Sequence, residues 1–114
     1  MVKFNILWIG DKMSAELYIT FENNNWLNEN KKLFEKYISE MEISVEIMEN
    51  EYRFKQINNQ YYDVRFIIIN DNTMLFEITY KPKIIEEEFK KLFSWMREKT
   101  NIHIKDEDGK LSNW

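Results

Sequence analysis

The 114-residue sequence predicts an α+β domain, a mainly antiparallel sheet of about six to seven strands with two helices packed on one face. Two observations lead there. From Tyr61 to Tyr80 the chain reads YYDVRFIIINDNTMLFEITY, in which Tyr62, Val64, Phe66, Ile68, Met74, Phe76, Ile78 and Tyr80 hold even positions, whereas Asp63, Arg65, Glu77 and Thr79 hold odd ones. Such alternation is the pattern of a half-buried strand. From Trp26 and again from Pro82 the apolar spacing changes to three and four residues, the period of a helix with one buried stripe. A sheet with one apolar face and helices with one apolar stripe satisfy each other when stacked. The length suits a single domain, 1–114, with a sizeable core.

Taken in order, the expected elements are β-β-α-β-β-β-β-α-β. Val2, Phe4, Ile6 and Trp8 alternate with Lys3 and Asn5, and Ala15, Leu17, Ile19 and Phe21 resume the phase after Gly10-Asp11-Lys12, which reads as a hairpin. Asn23-Asn24-Asn25 breaks the pattern and caps a helix whose face is Leu27, Phe34, Tyr37, Ile38 and Met41. Ile43, Val45 and Ile47 return to period two, followed by Tyr52 and Phe54. In the central hairpin, a three-residue turn at Asn70-Asp71-Asn72 sets Ile69 opposite Thr73, Phe66 opposite Phe76, Val64 opposite Ile78 and Tyr62 opposite Tyr80; on the other face Arg65 meets Glu77. Pro82 suits the first position of the second helix, Glu86 and Glu87 are spaced to pair with Lys90 and Lys91, and the buried stripe is Ile85, Phe89, Leu92, Phe93 and Met96. Ile102 and Ile104 form a last strand, and Asp106 to Gly109 a turn into a short pairing by Lys110 to Trp114.

Composition excludes several classes. An apolar content of 44% with 16% aromatics is too rich for disorder, and no apolar run approaches the roughly 20 residues of a membrane span. Without cysteine there is no disulfide, thiolate nucleophile or cysteine-bound zinc, which fits a cytoplasmic protein. The N-terminal MVKFNILWIGD lacks a small-residue cleavage site and reads as a strand. Two glycines, Gly10 and Gly109, cannot write a phosphate-cradling loop, and Asp106-Glu107-Asp108-Gly109 lacks the spacing and closing glutamate of a calcium loop. His103, the single histidine, falls on the polar face of its strand. No catalytic residue, metal ligand or cofactor is expected.

Charge placement is more informative. Glu40, Glu42, Glu46, Glu49 and Glu51 fall in twelve residues without a base, so the net charge of −4 is concentrated there. Such a run is either a solvated edge that discourages strand pairing or a patch that steers a basic protein, and it disfavours nucleic acid. Among the aromatics, Trp95 falls with Ile84 beside the buried stripe of its helix, and Trp114 and Tyr18 are also hard to bury by pattern. Exposed tryptophan beside acidic groups is a common binding anchor.

A small, acidic, cysteine-free, aromatic-rich α+β chain resembles the immunity proteins that neutralise bacterial polymorphic toxins, and equally phage proteins that inhibit host defence systems. The likeness spans the chain, through LWIGD near the start and FSWMREKTNIHIKDEDGKLSNW at the end. It implies a non-enzymatic, cytoplasmic inhibitor that binds a basic protein stoichiometrically, and carries over no site residue; the charge and aromatic patterns themselves suggest a contact surface of Glu40, Glu42, Glu46, Glu49, Glu51, Trp95, Ile84 and Trp114. The alternative is a small-molecule or nucleotide-binding domain that uses the sheet's open face, lined by Tyr61, Arg65 and Glu77; an enzyme comes third.

Overall fold

The computed structural model describes residues 15–55, 62–79 and 81–114. Its elements are β1 (Ala15–Phe21), α1 (Trp26–Glu29), α2 (Lys31–Ser39), β2 (Ser44–Ile47), β3 (Glu51–Lys55), β4 (Val64–Asn70), β5 (Thr73–Ile78), α3 (Lys83–Lys99) and β6 (Ile102–Lys105). The architecture is α+β: one antiparallel sheet in the order β2-β3-β4-β5-β1-β6, with the helices on one side. The expected strand over 2–8 lies outside the described residues; from Tyr18 to Thr20, β1 has β5 on one side and β6 on the other. Among the described residues no helix is long and apolar enough to cross a membrane.

The even-numbered face of the central hairpin builds the core. Val64 faces Ile78, Phe66 faces Phe76 and Arg65 faces Glu77, as alternation demands. Phe66 is fully buried, with its ring centroid 5.2 Å from Phe76, 5.6 Å from Phe54, 5.7 Å from Phe89 and 6.0 Å from Phe34. Phe34 belongs to α2 and Phe89 to α3, so one side chain of the sheet touches both major helices. The α3 stripe of Ile85, Phe89, Leu92, Phe93 and Met96 is fully buried, as its spacing predicts. Glu86 pairs with Lys90 at 3.1 Å, while Lys91 reaches Glu88, one residue further along than Glu87.

Five local expectations need correction. In the central hairpin Asn70, and not Ile69, faces Thr73, because a bulge absorbs Ile69 and leaves it half exposed. The bulge keeps Phe66 and Phe76 in register while shortening the turn. Tyr62 is not on the helix side: its hydroxyl donates to Glu77 Oε1 at 2.9 Å, and its ring lies 4.9 Å from the Arg65 guanidinium. The helix expected from Trp26 is interrupted at Asn30, whose backbone leaves the helical region at φ −118° and ψ 20° while its backbone N–H and its side-chain amide both donate to the Trp26 carbonyl at 2.9 Å. Asn25 takes the N-cap position of α1 without a side-chain cap; Asn23 shapes the entry instead, its Oδ1 accepting from the Asn25 amide. Pro82, finally, precedes the first helical residue by one and serves as the N-cap of α3. The partner expected for Tyr62, Tyr80, lies outside the described residues.

At the C-terminal end, Asp106 Oδ1 accepts from the amides of Asp108 and Lys110, both at 2.9 Å, and Gly109 takes the left-handed conformation at φ 83° that the turn requires. The turn returns the chain to a single bridge between Lys105 and Leu111. Trp114 then packs edge-on against Phe76 and Phe93.

Phe66→Ala is expected to lower stability by about 3–5 kcal/mol, the range for truncating a buried aromatic. Ile69→Ala, on the same strand but in the bulge, should cost within about 0.5 kcal/mol, as at a surface site. Urea denaturation of the two variants measures both; equal losses would contradict this assignment of faces.

Candidate protein-binding surface

Helices α2 and α3 are joined by aromatic contacts that the helical wheel only partly reveals. Trp95 of α3 lies stacked on Tyr37 of α2, with centroids 4.5 Å apart and planes inclined by 26°, and meets Trp26 of α1 edge-on at 6.4 Å. Both rings of the stack stay half-buried because they sit at the rim of the apolar stripe. Together with Lys90, Lys91, Ser94 and Glu98 they line a shallow groove of about 420 Å³. The Tyr37 hydroxyl is held above its ordinary range first by burial and then by the charge of Glu88, with Lys91 opposing and Glu98 adding to the rise.

The acidic run begins beside this groove. Glu40 is exposed at the C-cap of α2, one helical turn after Tyr37. The Glu42 backbone N–H donates to Glu88 Oε1 at 3.1 Å, and Glu88 Oε2 accepts from Lys91 Nζ at 3.3 Å. Glu88, only 7% exposed, thus ties the chain after α2 to the helix bearing Trp95. The exposed Glu42 side chain borders a second groove of about 530 Å³ with Met41, Ile43, Val45 and Ile47, along the β2 side of the sheet. The turn that carries Glu42 is anchored on α3 at Glu88, seven residues or about 10 Å along the helix from Trp95.

The remaining expected residues divide between other places. Glu46 is exposed but stands opposite Arg53, on the sheet face away from the helices. Glu49 is exposed between β2 and β3, and its carbonyl accepts from Lys31 Nζ at 3.0 Å. Glu51 is committed, accepting from Arg53 Nε at 2.6 Å and pairing with Arg65 at 3.3 Å. Ile84 is partly buried against the core, eleven residues or about 16 Å along α3 from Trp95, and does not line the groove. Trp114 is half-buried; its ring lies 5.4 Å from Lys81 Nζ and its carbonyl accepts from Arg97.

The face away from the helices has its own logic. Strand register aligns Glu46, Arg53, Arg65, Glu77 and Glu16 in one row across five strands. Arg53 and Arg65 face each other, a repulsive arrangement for like charges. Glu51 relieves it by bridging both guanidiniums, and Glu77 engages Arg65 at 2.6 Å. Arg65 and Glu77 do line this face, as the small-molecule reading required, but they bind each other and Tyr62; Tyr61 lies outside the described residues. In the next row Tyr18, Leu75 and Ile67 are adjacent and half-buried. His103 is exposed as expected but has a partner, Glu22 Oε2 at 2.7 Å. No group of three or more possible metal ligands occurs among the described residues.

Sequence reasoning missed Tyr37 as the ring beneath Trp95, and Glu88 as the link between the two patches. A signal for Glu88 existed, since it falls three residues after Ile85 and four before Leu92, on the buried stripe itself. Comparison with family models, curated proteins and solved structures finds no match to this chain.

Glu88→Ala should lower stability by about 1–3 kcal/mol, the cost of leaving a buried donor unpaired, and should speed hydrogen exchange at the Glu42 amide. An unchanged amide would dissociate the two patches. Hydrogen bonding from Arg53 above all, with Arg65, holds the Glu51 carboxyl below the ordinary glutamate value of 4.5. A depressed carboxylate contributes stability that is complete above its unfolded pKa and is lost as pH falls through its folded one. Glu51→Gln should therefore flatten the fall in urea midpoint below pH 4.5, whereas wild-type steepness in the variant would remove Glu51 from the acid transition.

Proposed function

We propose that this chain is a non-enzymatic, protein-binding inhibitor that acts in the cytoplasm, of the kind exemplified by immunity proteins that neutralise bacterial toxins, and that its partner is basic. The observation that supports this reading is the half-exposed Tyr37–Trp95 stack on the same helix pair to which the turn bearing Glu42 is tied through Glu88. A half-exposed aromatic centre with an acidic rim suits protein recognition: the rings supply an anchor that loses water on binding, and the carboxylates steer encounter. Neither groove is enclosed; the first is lined by α2 and α3, the second by the turn after α2 and by β2. A partner of complementary charge meets this surface without rearrangement of the fold.

Charge and ring act on different steps. Rim carboxylates act mainly on association and are screened by salt, whereas a desolvated aromatic acts on dissociation. The test is capture of a partner on the immobilised protein, followed by titration of the partner's activity and by stopped-flow binding. A basic partner should bind one to one and lose activity as the protein is added. The Glu40→Lys/Glu42→Lys variant should associate more slowly at low salt, with little difference at high salt. Trp95→Ala should dissociate faster by about 30-fold, corresponding to a loss of about 2 kcal/mol for an anchor residue. A partner that binds both variants like wild type, or that keeps full activity when saturated, would overturn the proposal.

A further inference from the structure

Of the formal charges lining the α2–α3 groove, two are already answered. Lys90 is bound to Glu86 at 3.1 Å and Lys91 to Glu88 at 3.3 Å, each directed back along its own helix. Glu98 is exposed and makes no ion pair among the described residues. The groove therefore combines two stacked aromatic rings with one uncommitted carboxylate. Burial first raises the pKa of the Tyr37 hydroxyl, and the carboxylates of Glu88 and Glu98 add to that rise against Lys91.

We infer that this groove takes an arginine side chain of the partner, lying against the Tyr37–Trp95 pair with its guanidinium matched to Glu98. This rests on the protein-binding reading above and names the chemistry of the group received. A planar, weakly hydrated guanidinium stacks on aromatic faces while its edge donors reach a carboxylate, which a compact ammonium does less well. Lys90 and Lys91 are each matched by a carboxylate, so that with Glu98 the formal charge of the groove and its ion-pair partners is −1, which favours a cation over an anion.

The test needs no partner protein. The ¹⁵N-labelled chain is titrated with N-acetyl-arginine amide and with the lysine, citrulline and glutamate analogues, and the Trp95 indole N–H resonance is followed. The arginine compound should shift it saturably in the millimolar range, with at least threefold weaker binding by lysine and by neutral citrulline. Glu98→Gln, an exposed change that leaves the packing of Trp95 alone, should weaken the arginine compound by about threefold or more, as expected for loss of one solvent-exposed ion pair. An equal or tighter response to glutamate, no saturable response to arginine, or an unaltered response in Glu98→Gln would each overturn the inference. Should arginine fail while the Glu40→Lys/Glu42→Lys variant still slows a captured partner, this site falls and the protein-binding reading stands. A captured partner that binds both the Glu40→Lys/Glu42→Lys and the Trp95→Ala variants like wild type would overturn the broader reading and, with it, the assignment of this groove to a partner's arginine.

Discussion

The pairing of Phe66 with Phe76 on adjacent central strands is the contact on which the rest of the structure depends. Their rings, 5.2 Å apart, form the floor onto which Phe89 and Phe93 of α3 descend, with Phe34 of α2 meeting Phe66 from the side. Aromatic pairs prefer offset-stacked and edge-to-face arrangements, and the ring contacts of Phe66 and Phe76 are all tilted or edge-to-face. A slip of one residue in β4 against β5 would turn Phe66 to the face opposite Phe76 and take away half of the floor beneath α3. The bulge at Ile69 follows from this constraint. The register from Val64 to Ile68 is fixed by burial, so the irregularity is displaced to the hairpin end, where Ile69 is half exposed and nothing is lost.

Much of this was legible in the sequence because burial and chain periodicity agree. The even positions of β4 and β5 and the stripe of α3 each repeat several times, and a repeated signal survives local exceptions. What was not legible lies where side chains make specific polar bonds. Tyr62 continues the apolar parity of β4, yet its hydroxyl finds Glu77 and its ring finds Arg65 on the other side. Periodicity counts a tyrosine as apolar, but the ring has a polar end that follows its partner. Asn30 likewise sits within a helical pattern and interrupts it, its side chain adding a second donor to the Trp26 carbonyl that its own backbone N–H already reaches.

The candidate surface was legible in the same partial way. The density of carboxylates from Glu40 to Glu51 marked a region, but linear density says nothing of which face each residue joins. Glu51 lies between two arginines that sequence separates, Arg53 and Arg65, and its charge is spent on holding β3 to β4. Glu42 and Glu46, four apart and expected together, part company because the chain reaches β2 only at Ser44; Glu42 falls in the preceding turn and turns toward the helices. Trp95 was correctly placed at the margin of its helix. Its partner Tyr37 comes from a helix 58 residues away in sequence, a relation that no local pattern encodes.

Glu88 explains why these neighbours are held together. A buried carboxylate on a helix stripe is unfavourable unless its oxygens are satisfied, and an apolar residue there would fit the core more simply. Here one oxygen accepts from the Glu42 amide and the other from Lys91, so the group fixes the turn between α2 and β2 against α3. Fixing that turn has no evident value to the sheet, whose β2 strand is already paired to β3. It does fix the Glu42 backbone against α3, in a geometry that a purely apolar contact, which lacks direction, would leave loose. Directional hydrogen bonds at a buried position give the turn a defined place on the helix that bears Trp95, which is the kind of order that the proposed binding surface would need.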